Sequence, residues 1–167
     1  GTTLKMSIIK MMDRLNPKSI VVVSSAPQIR FPDCYGIDMA KLEGLVAFKA
    51  ALELLKERDL YHIVDEVYAK FKAQEKFKDA DMVNYVTAIY EPFQPQEVSD
   101  KIAQMLSSPE IKAEVKIIFQ TVEDLHVACP KNLGDWYFTG DYPTPGGNRV
   151  VSRAFMNFYE GKDARAY

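Results

Sequence analysis

The residues best suited to chemistry in this chain are its first three and a group on one loop. Gly1, Thr2 and Thr3 precede a helical pattern, so their backbone amides and hydroxyls gather at a helix N-terminus. Such amides, with a glycine allowing close approach, suit a phosphate group. The same residues would equally serve as a plain helix cap. The loop, SSAPQIRFPDCYGIDM from Ser24 to Met39, offers Arg30, Asp33 and Tyr35. These can contact a ligand, or Arg30 and Asp33 can fix the loop by pairing with each other or through backbone hydrogen bonds. Gly36 and Asp38 read first as a turn glycine and a helix cap. Cys34 and Cys129 lie far apart, and His62 and His126 are the only histidines. Spacing therefore assembles no metal-ligand set and no activated thiol nucleophile.

Those residues need a scaffold, and the apolar pattern supplies one. Leu4, Ile8, Met11, Met12 and Leu15 recur at helical spacing, which predicts an amphipathic helix from Thr3 to about Asn16, ended by Pro17. Ser19-Ile20-Val21-Val22-Val23 reads as a strand buried on both faces, as in a parallel sheet. The loop then leaves the strand's carboxyl end, the edge where open α/β sheets bind ligands. A helix is expected from about Ala40 to Glu57, a second through Ile63–Phe71 and a third through Met82–Tyr90. Lysines 70, 72, 76 and 78 read as a solvated helix face. Pro95 opens a helix carrying Val98, Ile102, Met105 and Leu106.

Val115–Phe119 reads as a second buried strand, and Thr121 as the cap of the short helix after it. Residues 130–149 should be loop with a short strand at Trp136–Thr139, and a last helix runs from Asn148 to about Glu160. The result is one α/β unit with a helical excursion in its middle.

The 167 residues, 47% hydrophobic and 26% charged, suffice for one domain with a real core. A formal net charge of −2 gives no electrostatic case for nucleic acid or an anionic membrane. No apolar run approaches the roughly 18 residues of a membrane span. With two unclustered cysteines and no signal-peptide pattern, a cytoplasmic protein with reduced thiols is expected.

The Ser24–Met39 run closely resembles a stretch of the glutamine phosphoribosylpyrophosphate amidotransferase family, where a strand precedes SxPxIRxPxxYGIDM. Gly1-Thr2-Thr3 resembles the end of that family's phosphoribosyl-pyrophosphate loop, DDSIVRGTT. EVSDKIAQML…VKIIFQTVEDL, within residues 97–125, is similar to EVxEIRxxIGADxLIFQxLxDL, and FTGDYPT, residues 138–144, to FTGKYPT. The resemblance covers residues 1–50 and 96–147, leaving 51–95 as a helical insertion. It implies the second half of a type I phosphoribosyltransferase-like parallel sheet over 1–50, closed by the helix, strand, loop and C-terminal helix of 96–167.

By that resemblance the chain is the C-terminal portion of an enzyme making 5-phosphoribosylamine from glutamine and phosphoribosyl pyrophosphate, in purine synthesis. Gly1, Thr2 and Thr3 would hold the substrate's 5-phosphate, with Arg30, Asp33 and Tyr35 as loop contacts. The acidic pair and the serine assisting Mg²⁺ belong to the part of the family pattern before Gly1, so the chain is expected to be inactive alone. Its partners would be an N-terminal glutaminase domain and the first half of the phosphoribosyltransferase domain, in a homo-oligomer, with no nucleic acid or membrane. Some family members carry an iron–sulfur cluster; two cysteines cannot supply four thiolates, so none is expected here. A different class of function remains alongside: a non-catalytic module of the same fold that binds a nucleotide or sugar phosphate.

Overall fold

The computed structural model describes residues 4–35, 39–131 and 134–166, with backbone alone at 4–6 and 80. A π-type helical segment (Leu4–Ile9) runs directly into α1 (Lys10–Asp13). Asn16 then turns the chain at φ 51°, a left-handed conformation that asparagine tolerates, just ahead of Pro17. Of this helix's apolar residues Ile9 is fully buried, while Ile8, Met11, Met12 and Leu15 are exposed. Polar contacts fix its orientation instead. Asp13 Oδ1 accepts from the backbone N–H groups of Lys112 and Ala113, and Lys10 pairs with Glu110.

Strands β1 (Ser19–Ser24) and β2 (Glu114–Phe119) form a two-stranded parallel sheet. Ile20 lies opposite Val115, Val22 opposite Ile117 and Ser24 opposite Phe119. Because side chains alternate along a strand, this register puts those six on one face and Val21, Val23, Lys116 and Ile118 on the other. The first face is covered. On the second, Val23 is 71% and Ile118 55% exposed. The expected burial of both faces is thus corrected: a valine run fits either case, and here the described helices pack on one side only.

Four longer helices build the core: α2 (Val46–Glu57), α3 (His62–Gln74), α4 (Pro95–Leu106) and α7 (Pro145–Tyr159). Phe48, Leu55, Val64, Phe71, Val86, Ile89, Ile102 and Phe155 are essentially inaccessible and belong to one cluster. Each such side chain contributes about 1.5–3 kcal/mol through burial. Residues 51–95 therefore contribute to the centre of this core rather than standing apart from it. Lysines 72 and 70 lie at its rim, Lys72 paired with Glu75 and Glu160, and Lys70 over the Tyr85 ring.

Several boundaries differ from the periodicity. The helix expected from Ala40 begins at Val46, after a 3₁₀ turn (Leu42–Gly44) and an extended Leu45. The third expected helix is instead two 3₁₀ turns, Asp79–Asp81 and Tyr85–Ile89. Buried Val86 and Ile89 are three apart, a spacing that fits three residues per turn as well as 3.6. Asn84 caps the second turn, its side-chain oxygen accepting from Val86 N. After β2, α5 (Val122–Ala128) is capped by Thr121 as expected, its hydroxyl accepting from Asp124 N. Trp136–Thr139 is a single helical turn, α6, rather than a strand. Asp135 O accepts from Phe138 N and Thr139 N, and Gly140 closes the turn at φ 81°. The last helix starts a turn early because Pro145 fits its first position.

Candidate functional site

The loop leaving β1 and the turn around α6 are about a hundred residues apart in sequence and meet at the carboxyl edge of the sheet. Tyr137 O accepts from Arg30 N (2.8 Å) and Phe31 N (3.1 Å). The Tyr142 hydroxyl donates to Pro32 O at 2.7 Å, and the Tyr137 hydroxyl donates to Asp33 Oδ1 at 2.9 Å. Gly140 admits this approach. A Cβ there would lie 2.6 Å from Asn84 Nδ2 and 2.9 Å from Phe31 Cζ. Asn84 Nδ2 donates to Gly140 O, so the segment between α3 and α4 also holds the turn.

Gln28 organises the other half of the loop. It is buried, and its Nε2 donates to Pro95 O and to Ser99 Oγ, each at 2.8 Å. Its Oε1 accepts from Arg30 Nε and Nη2 at 3.1 and 2.9 Å. The Arg30 guanidinium also lies 5.1 Å over the Tyr90 ring, while the Tyr90 hydroxyl donates to Arg30 O. Burial lowers the Arg30 pKa; the Tyr90 phenol acts in the opposite sense.

Arg30 and Asp33 therefore do not pair with each other. Asp33 is buried and receives Tyr137 and the backbone N–H of Tyr35. Tyr35 is exposed, with its ring edge-on to Trp136 at 5.6 Å. Burial, then the Asp33 hydrogen bond, pushes the Tyr137 phenol up to about 12. Burial, then the Asp33 charge, raises the Cys34 thiol, which disfavours the nucleophilic thiolate. Gly1, Thr2 and Thr3, and with them the expected phosphate loop, lie outside the described residues, as do Gly36, Ile37 and Asp38 of the expected turn and cap.

Sequence reasoning missed Gln28 and Tyr90. Neither belongs to a chemically suggestive pattern, though a glutamine two residues before a loop arginine is visible in the sequence. Between the two strand ends and the start of α4 the loop leaves a cleft of about 250 Å³, lined by Arg30, Gln96, Ser99, Gln120, Thr121 and Glu123 among others. Among the described residues no helix is long and apolar enough to cross a membrane.

No family model matches this chain, and no solved structure matches it. Among curated proteins, the amidophosphoribosyltransferase of Escherichia coli (strain K12) is 33% identical over 79 residues. That stretch is 42% of this chain and only 15% of the length of that relative. The chain thus contains a region similar to part of an amidophosphoribosyltransferase, within an α/β fold built on a parallel strand pair.

Proposed function

We propose that this chain is the C-terminal portion of a glutamine phosphoribosylpyrophosphate amidotransferase of the cluster-free branch, acting in purine synthesis. In the intact enzyme, glutamine is hydrolysed in a separate N-terminal domain. The released ammonia attacks carbon 1 of phosphoribosyl pyrophosphate, forming the C–N bond as the C–O bond to pyrophosphate breaks. Gly1, Thr2 and Thr3 bind the 5-phosphate in this reading. The chain also contributes the second half of a phosphoribosyltransferase-like sheet and needs the first half, in a cytoplasmic homo-oligomer, for activity.

The observation that supports this most is the joining of the Ser24–Met39 and Phe138–Thr144 segments at the carboxyl edge of parallel strands. The first lies in the strongest part of the family resemblance, the first 40 residues, and the second in its weaker continuation. The open sheet face of Val21, Val23 and Ile118 and the exposed stripe of Met11 and Leu15 fit cover by further sheet and helix. Mg²⁺ would neutralise the departing pyrophosphate. Among the described residues no three His, Cys, Asp or Glu side chains gather to hold a metal, so this chain is assigned no ligand to it.

The test is an immunoprecipitation from source cells with an antibody against this chain. The expected product is a polypeptide several-fold heavier than 19.0 kDa that releases pyrophosphate from phosphoribosyl pyrophosphate only when glutamine or ammonia is supplied. A native product near 19.0 kDa without that activity would overturn the proposal and leave a binding module of the same fold.

A further inference from the structure

We propose that the outer edge of β2 is an interface for a second copy of this chain, the two β2 strands pairing antiparallel about a two-fold axis at Val115. This interface is built from β2 and α4 alone and does not depend on the enzymatic reading above. Glu114 N–H donates to Lys18 O at one end of the ladder, and Gln120 N–H donates to Ser24 O at the other. Residues bonded to one neighbour alternate along a strand, so the even-numbered residues of β2 face β1. Val115, Ile117 and Phe119 turn their N–H and C=O groups outward, and among the described residues none of those N–H groups meets an acceptor.

Proteins commonly blunt such an edge with a proline, a bulge or a covering element. Residues 114–119 contain no proline, their register runs unbroken, and a groove of about 600 Å³ lies beside them. No β1 residue lines this groove, so it follows the outer edge. Its far wall is α4, whose Gln96, Asp100 and Gln104 are exposed and give the groove a polar rim. A further strand would lie about 4.8 Å from β2 in this space.

The side-chain pattern of β2 names the occupant and the register. In antiparallel pairing, outward-turned residues stand opposite outward-turned residues. An axis at Val115 sets Val115 against itself and Ile117 against Ala113 on the covered face, where every member is apolar. On the open face it sets Glu114 of each copy against Lys116 of the other. Axes at Glu114 or Lys116 would oppose like charges, and one at Ile117 would set Lys116 against Ile118. Glu114 and Lys116 already meet within one strand at 3.2 Å, with side chains 60% and 56% exposed. Directly opposite residues of an antiparallel pair come closer than residues two apart on one strand, which favours the exchange of partners. The Ala113 N–H is held by Asp13 Oδ1, so the pairing ends there.

The experiment is sedimentation of the 167-residue chain across a concentration series, for the native sequence, Glu114→Lys and Lys116→Glu. The native chain is expected to move from 19.0 kDa to twice that mass as concentration rises. Either reversal alone puts like charges opposite each other and should weaken the dimer about tenfold or more at low salt. Mixing the two variants restores opposite charges at both pairs, so the mixture should form a heterodimer about as tight as the native dimer. Recovery on mixing also shows that both variants are folded. A dimer indifferent to either reversal would move the contact to the open face of Val21, Val23 and Ile118 and overturn the assignment. A chain monomeric up to about 1 mM, or a mixture that fails to recover, would overturn it equally.

Discussion

The Tyr90 hydroxyl donates to the carbonyl oxygen of Arg30 at 2.9 Å, while the Arg30 guanidinium lies 5.1 Å over the same ring. One residue of the helical middle of the chain thus fixes both the backbone and the side chain of the loop leaving β1. Phe31 adds an edge-to-face contact with that ring at 5.6 Å. Arg30 and Phe31 are thus tied to the core behind them, which is what a binding edge requires if its donors are to be in place before a ligand arrives.

Tyr90→Phe removes only the hydroxyl and leaves the Arg30 carbonyl without its donor in a buried setting. The expected cost is about 1–3 kcal/mol, the usual penalty for orphaning a buried polar group. Urea unfolding should show a lower midpoint at unchanged slope. A change below a few tenths of a kcal/mol would mean that water replaces the hydroxyl there.

Gly140→Ala meets two obstacles. Its φ of 81° lies in the left-handed region, and the new methyl would fall against Asn84 and Phe31. Conformational strain of about 1–2 kcal/mol and overpacking of about 1–3 kcal/mol give an expected loss of about 2–5 kcal/mol. Thermal unfolding checks this. Because the turn also holds Arg30 and Phe31 through Tyr137 O, loop amide shifts should move in parallel.

Glu160 ties α7 to α3 at the surface. Lys162, the Tyr68 hydroxyl and Lys72, in that order, hold its carboxyl down from 4.5 to about 2. A carboxyl whose pKa is lower folded than unfolded binds protons more readily unfolded. Its stabilising contribution is therefore fully present above about pH 4.5 and lost as pH falls toward 2. The Tm difference between the native chain and Glu160→Gln should be constant near neutrality and shrink to nothing across that window. A difference that persists at pH 2 would assign the effect of Glu160 to packing instead.

Residues with strong local signals were legible in the sequence. Pro95 opening α4, Thr121 capping α5 and Asn16 ending the first helix each act within a few residues of themselves. Long-range partners were not legible. For Arg30 and Asp33 the sequence leaves open a ligand contact, a mutual pair or backbone hydrogen bonds; each is held by a residue from elsewhere, Tyr90 or Tyr137. Trp136–Thr139 has strand-forming residue types, but Asp135 and Gly140 at its two ends impose a turn that composition does not reveal. For β1, a run of valines signals a strand without saying how many of its faces are covered.

That last ambiguity can be tested on neighbouring residues. Ile117 pairs with Val22 on the covered face and is 6% exposed; Ile118 pairs with Val23 on the open face and is 55% exposed. Ile117→Ala removes buried methyl groups from the cluster and should cost about 2–5 kcal/mol. Ile118→Ala, in this chain by itself, should stay within about 0.5 kcal/mol, as surface substitutions do. In the longer polypeptide proposed above, the open face would be covered, and Ile118→Ala should then approach the cost of Ile117→Ala. Chemical unfolding of both variants, in the chain alone and in the full-length protein, measures the difference directly. An Ile118→Ala effect that stays small in the full-length protein would mean that no further element packs on that face of the sheet.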